Sequence, residues 1–234
     1  MKLLDTTGGN TKLRKTAIAD GVRIAGLSLF PDPILCPGSK AAGCMKTCLV
    51  EQGRGVFPNV RESRQSKADF FHSDKSGFLE ALRNELFNFS KVCKRDSVEG
   101  WVRLNVLSDI DWPQLGIPQE FKSQGLNFYD YCKVAKRLTS KINPQNYHLM
   151  FSYSGRKNYG GQVKLALKTD VPVAVVFRGG FPARFLDRPV LDGDISDYRN
   201  VFSRGDVVAL KAKGTARYDR SGFVVDNPDL LKIA

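Results

Sequence analysis

At 234 residues, 42% of them hydrophobic, the chain is long enough to bury a core of its own and is neither a tail nor a linker. Lys and Arg exceed Asp and Glu by 36 to 24, a net charge of +12 that favours a polyanionic partner. No apolar run reaches the ~20 residues of a membrane span, and the start "MKLLDTTGGNTKLRK" lacks the apolar stretch of a secretory signal, so a cytoplasmic protein with no membrane partner is expected.

In chain order, residues 1–20 are expected to be loosely ordered, as termini often are, and residues 21–234 to form one domain. "VRIAGLSLF" (Val22 to Phe30) reads as a buried strand closed by "PDP". A loop from Cys36 to Cys48 follows, with Cys36, Cys44 and Cys48 spaced C-x7-C-x3-C. In a reducing compartment such a cluster is more often a metal or redox site than a disulfide framework. The spacing is not the CxxC pair of zinc ribbons, and three thiolates would need His72, Cys93, a water or a cofactor as the fourth ligand. Free, merely buried cysteines are the competing reading.

"SDKSGFLEALRNELFNFSKVCKR" places Phe78, Leu82, Leu86, Phe89 and Cys93 three and four residues apart, which predicts a helix with Ser or Asp as its N-cap. Six short apolar runs then follow: "WVRLNVLSD", "LNFYDY", "YHLMFSYSG", "VPVAVVFRGG", "RPVLDGD" and "DVVALKAKG". Each reads as a strand with a loop at its C-terminal end, while "FYDYCKVAKRLTSKI" and "GGQVKLALKT" look helical. Repeated strand-then-helix units imply a mainly parallel sheet, and their number predicts an α/β fold of the (β/α) barrel-like kind, an incomplete or distorted TIM-type barrel.

In barrels the active site gathers at the C-terminal ends of the strands. Here those ends are acidic: Asp109 and Asp111, Asp130, and Asp192 and Asp194. Converging carboxylates could serve as nucleophile and as general acid or base, or hold a cation. Asp after a strand is also a common turn or N-cap residue, the reading preferred for Asp111 and Asp197. Basic and glycine-rich segments close the same runs: Arg156, Lys157, Arg178, Lys211, Lys213 and Arg217 are phosphate-contacting candidates, while Gly179 and Gly180 would let the backbone approach a target base closely. Tyr153, Tyr159, Phe177 and Phe181 could stack on a base, although aromatics at strand ends more often pack. His148 lies inside a strand and reads as structural. No Ser-His-Asp order, Walker loop, HExxH or zinc-deaminase signature occurs.

Three resemblances bear on function. "CPGSKAAGCMKTCL", "VRLNVLSDIDW", "FYDYCK", "HLMFSYS", "VAVVF", "PVLDGDISDYR" and "VVALKAKG" together resemble a family of phage-encoded proteins, which implies the cytoplasm of an infected bacterium. The order of strand ends is also similar to that of tRNA-guanine transglycosylases and the deazaguanine DNA transglycosylases of phages. That likeness implies Asp109 as general base, Asp130 as the aspartate that reads the target base, and Asp192 as nucleophile with Asp194 as its rival. The cysteine loop resembles the cluster loop of radical S-adenosylmethionine enzymes, though their C-x3-C-x2-C spacing differs.

The leading expectation is therefore a nucleic-acid-modifying enzyme, a glycosyltransferase that exchanges guanine in DNA for a 7-deazaguanine base, with Cys36, Cys44, Cys48 and His72 holding a structural zinc. An iron-sulfur enzyme and a non-catalytic nucleic-acid-binding protein are the alternatives. DNA is preferred to RNA as partner.

Overall fold

The computed structural model describes residues 1–6, 17, 20–48, 50, 52–196 and 203–229. The expected loosely ordered N-terminal stretch therefore lies largely outside the described residues, as does Asp197. The chain is mixed α/β and its strands are mostly parallel. It forms two interleaved units: residues 1–36, 54–130 and 141–148 in the first, and residues 37–53, 131–140 and 149–234 in the second.

In the first unit, β1 (Leu4–Asp5) pairs antiparallel with β2 (Arg23–Leu27), which runs parallel to β3 (Gly100–Arg103). β3 in turn runs parallel to β4 (Leu126–Cys132), whose first five residues belong here. Gly100 is small for a reason: a Cβ there would lie 2.6 Å from Leu126 Cδ2 and 2.9 Å from Cys93 Sγ.

The two long helices of this unit lie between β2 and β3. The first, α1 (Pro58–Ser73), begins at Pro58, where a missing N–H costs nothing, and buries only Ala68 and Phe71. Its apolar periodicity is too weak to announce it, and the sequence reading leaves this stretch unassigned. The second, α2 (Lys75–Arg95), is the expected helix. Phe78, Leu82, Leu86, Phe89 and Cys93 are all buried, and the Asp74 carboxylate caps the N-terminus by accepting the Gly77 N–H at 2.8 Å. Phe71 and Phe78 meet edge to face at 5.2 Å, with Trp112 beyond Phe71 at 6.3 Å.

The second unit is built on β6 (Val173–Arg178). One edge of β6 pairs in parallel with β9 (Val207–Lys211), and β9 with β8 (Arg188–Asp192), which ends in an antiparallel hairpin with β7 (Arg184–Phe185). The other edge is shared. The end of β5 (Tyr147–Ser152) pairs with Val173 and Ala174, and β10 (Val224–Asp226) takes over at Val176, Phe177 and Arg178. Where β5 stops, its continuation meets the approach to β10 through Gly155 N–H to Gly222 O at 2.8 Å. The core holds Phe151, Tyr159, Val173, Val175, Phe177, Val207 and Ala209, with Phe151 and Tyr159 stacked at 5.8 Å.

One expectation is met in part and another is corrected. The α/β fold with a mostly parallel sheet is present, but neither unit closes its sheet among the described residues: β1 is an edge in the first and the β7–β8 hairpin an edge in the second. "FYDYCKVAKRLTSKI" is not a helix. Its start is the end of β4, and only a 3-10 turn at Ala135–Thr139 follows. Tyr129, Asp130 and Cys132 are buried, a pattern the strand meets and a solvent-facing helix would not. The expected helix after β5 does form, as α3 (Gly160–Ala166).

Candidate nucleic-acid interface

In the first unit the acidic strand ends are turned inward. Asp130, 1% exposed, accepts the Asn105 N–H at 2.7 Å, Asn105 Nδ2–H at 3.1 Å and the Tyr147 hydroxyl at 3.0 Å. Asn105 passes the order on: its Oδ1 accepts from Ser108 Oγ, Ile110 N and Trp112 Nε1, and its Nδ2 also donates to Ile110 O. The loop after β3 is thereby organised by one amide and one carboxylate. Asp109, also 1% exposed, lies within that loop and donates its N–H to Leu35 O at 2.7 Å. The sequence reading found both aspartates but missed Asn105, whose only signal is "LNVLSD", an amide directly after an apolar strand.

The expected metal ligands are otherwise engaged. Cys36 is buried with its thiol on Leu107 O at 3.4 Å. Cys44 points to Ser39 O at 3.8 Å and packs on the core of the second unit. Cys48 ends a 3-10 turn over Met45–Thr47. His72 Nε2 meets Asp32 Oδ2 at 2.7 Å, while Asp32 Oδ1 accepts the N–H groups of Ile34 and Leu35. Burial acts to raise the Asp32 pKa, but the Leu35 N–H, His72 and the Ile34 N–H outweigh it and hold the carboxyl below its ordinary range. Burial pushes the Cys93 thiol up, which keeps it protonated and inert. Among the described residues no three His, Cys, Asp or Glu side chains gather as a metal site, so no chemistry is derived through zinc or an iron-sulfur cluster.

In the second unit, β5, β6, β8, β9 and β10 run parallel, so the residues that leave their C-terminal ends share one rim of that unit's sheet. In open α/β sheets this is where ligands bind. Arg156 and Lys157 follow β5, and Arg156 Nη1 reaches Lys40 O at 3.4 Å, while Ser154 Oγ donates to Ala42 O at 2.7 Å. The cysteine-bearing segment of this unit is thus tied to the rim. Gly43 adopts a left-handed φ of +78 that favours glycine, and a Cβ there would also lie 2.6 Å from Arg156 Cδ and force that side chain to shift.

Arg178 closes β6 and is a structural clamp. Its Nε donates to Asp226 at 2.6 Å, directly across from it on β10, and its Nη1 donates to the carbonyls of Arg217 and Asp219, both at 2.9 Å. Gly179 and Gly180 follow at φ 82 and 97, and Asn227 Nδ2 donates to Gly179 O. Phe177 is 1% exposed, its ring edge-on to Phe185 at 5.2 Å, so it packs the core and presents no face to a base. Tyr153 meets Phe185 edge-on at 5.4 Å, and burial raises the pKa of its phenol.

Asp192, the last residue of β8, is exposed and accepts the Asp194 N–H at 2.9 Å on Oδ1; among the described residues its other oxygen has no partner. Asp194 is different: it accepts the Lys211 N–H and pairs with Lys213 Nζ at 2.8 Å. Among the described residues, Lys211 and Arg217 are exposed and carry no ion pair, and the unforeseen Arg220 is exposed with its charge acting on the Asp226 carboxylate without a direct ion pair. The charge excess is concentrated in this unit, with 19 Lys and Arg against 10 Asp and Glu; in the first unit the numbers are 17 and 14.

Among the described residues no helix is long and apolar enough to cross a membrane. No curated protein and no solved structure matches the chain. The likeness to guanine transglycosylases accordingly has no counterpart in these comparisons. One family model does match, over residues 1–227 of the 234, and on that extent the chain belongs to the gene product 88 family.

Proposed function

We propose that this protein binds nucleic acid along the rim of its second unit, with Arg156, Lys157, Lys211 and Arg217 contacting phosphates. The observation that carries this reading is the cationic excess at parallel strand ends, where Lys211 and Arg217 have no carboxylate partner among the described residues. Arg178 and Lys213 serve less directly: one clamps the backbone and the other neutralises Asp194. Phosphate binding releases counterions, so log affinity falls with log salt by about 0.7 per contact on a single strand and about 0.9 on a duplex. The test is fluorescence anisotropy of a labelled oligonucleotide across a salt series. Wild-type protein gives a steep slope, and a Lys211→Ala/Arg217→Ala double variant a slope shallower by about two contacts. A flat wild-type response refutes the reading.

A second reading, base exchange, is favoured by one observation: Asp192 is a rim carboxylate that is exposed and has an oxygen without a partner among the described residues. In that reaction the Asp192 carboxylate attacks the anomeric carbon and the glycosidic bond breaks. Guanine departs at N9 and takes a proton from solvent in place of the sugar. A 7-deazaguanine base then passes its N9 proton to solvent, attacks the same carbon and releases the carboxylate. Protein incubated with guanine-containing DNA and no incoming base should trap a covalent adduct that Asp192→Ala lacks while still binding DNA. No adduct with wild-type protein, or an adduct that survives Asp192→Ala, removes this reading and leaves the binding proposal intact.

A further inference from the structure

Tyr218 is 81% exposed, the most exposed of the large hydrophobic side chains, and it makes no ring contact or hydrogen bond among the described residues. Singly exposed aromatics need no explanation in general. This one stands in "KAKGTARYDR", where every exposed charge is positive: Lys211, Lys213, Arg217 and Arg220. The single acid of the stretch, Asp219, is turned inward. Its Oδ2 accepts the Val224 N–H at 3.0 Å and its Oδ1 the Ser221 N–H at 3.2 Å.

The backbone that carries Tyr218 is held from several sides. Ala216 is buried in a small cluster with Ala212 and Val224, which points the residue two places on away from the core. Residues Gly214–Tyr218 form a 3-10 turn, and Arg178 Nη1 binds the carbonyls on either side of Tyr218, those of Arg217 and Asp219. Arg178 is itself fixed by Asp226. An aromatic ring displayed on a locked backbone between guanidinium groups loses little conformational freedom when a partner covers it. A planar, anion-bearing partner satisfies both the ring and the surrounding charges.

We propose that Tyr218 is a stacking platform for an unpaired nucleobase, flanked by Arg217 and Arg220 as contacts to the adjacent phosphates, so that the preferred ligand is single-stranded nucleic acid. Every base has a π-face, so such a platform is tolerant of sequence, whereas a duplex keeps its bases stacked on one another and offers the ring nothing. The inference rests on the nucleic-acid reading of this rim and adds the form of the ligand to it.

The test compares a labelled single strand with the same sequence as duplex, for wild-type protein, Tyr218→Ala and Tyr218→Phe. Because the ring is exposed, all three should unfold at the same urea concentration. Tyr218→Ala should weaken single-strand binding by roughly ten-fold or more, leave duplex binding unchanged and keep the salt slope, since no phosphate contact is lost. Tyr218→Phe should bind like wild type. In a Tyr218→Trp variant the new indole emission should be quenched by the single strand and not by the duplex. If Tyr218→Ala binds the single strand like wild type, or loses both ligands equally, the platform is refuted while the binding reading stands. If wild-type protein binds neither oligonucleotide, both fall together.

Discussion

Truncating Asp130 to Ala removes three hydrogen bonds at once from a site that is 1% exposed. It removes the acceptor of the Asn105 N–H, of one proton of Asn105 Nδ2 and of the Tyr147 hydroxyl. A buried donor left without a partner costs about 1–3 kcal/mol, and relaxation around the void keeps the total near the ~3–5 kcal/mol typical of breaking a buried charged network. Against a domain stability of about 5–15 kcal/mol this is a severe change, so milder variants are the informative ones. Tyr147→Phe withdraws one donor and leaves the carboxylate two, for an expected loss of about 1–2 kcal/mol. Asp130→Asn turns one acceptor oxygen into a donor facing donors and should cost more. In a double-mutant cycle by urea unfolding, the two should couple by about 0.5–3 kcal/mol with an unchanged m-value. Losses below about 0.5 kcal/mol with strict additivity would show that the bracket does not hold the loop after β3.

Other variants test other parts of the structure. Gly193→Ala should destabilise by about 1–3 kcal/mol, because the new Cβ would fall 2.3 Å from Val208 Cγ1 and 2.9 Å from the Ala209 carbonyl; a neutral effect in thermal unfolding would contradict that packing. Arg178→Ala should release the Gly214–Tyr218 turn, seen as faster amide exchange at Arg217 to Ser221 with the exchange of β2 and β3 unaltered. The Asp32 carboxyl is held below its ordinary value of 3.8, so its contribution is present above that value and lost as pH falls through the lowered one. Asp32→Asn should accordingly be less stable than wild type at neutral pH, with the gap closing below about pH 4. A gap that persists at pH 2 would assign the loss to the Asx turn rather than to ionisation.

The strands β2, β3, β4, β5, β6, β8 and β9 were legible in the sequence because each lies in a short apolar run bounded by polar or glycine positions, whereas the short β1, β7 and β10 were not. All seven expected runs contain one. The helix α2 was legible for the analogous reason, a full apolar stripe. Its neighbour α1 was not, since "PNVRESRQSKADFFHS" buries two residues and leaves no periodicity to read. Closure of the sheet was out of reach altogether: strand count and spacing say nothing about whether an edge finds a partner, and β10, three residues long, sits against an edge that β5 vacates.

The aspartates show where residue type stops being informative. Asp109, Asp130, Asp192 and Asp194 all follow apolar strands, and by sequence they are equivalent candidates for chemistry. The structure separates them by what surrounds the carboxylate: a buried hydrogen-bond bracket at Asp130, burial within an organised loop at Asp109, a lysine partner at Asp194, and at Asp192 an open oxygen. The same sorting applies to the cations. Arg178 has its guanidinium committed to one carboxylate and two carbonyls, so its removal should disturb the fold of the rim before it disturbs any ligand, whereas Arg217 contributes only its carbonyl to that clamp and leaves its own charge exposed. Charge count alone ranks the two equally; committed hydrogen bonds make one a support and the other a contact. Comparing Arg178→Lys with Arg217→Lys tests this division. The first keeps the charge but loses the fork that reaches Asp226 and both carbonyls, so it should lower the unfolding midpoint. The second keeps the charge and should keep both stability and nucleic-acid affinity to within about two-fold if the contact is a phosphate bound mainly by charge.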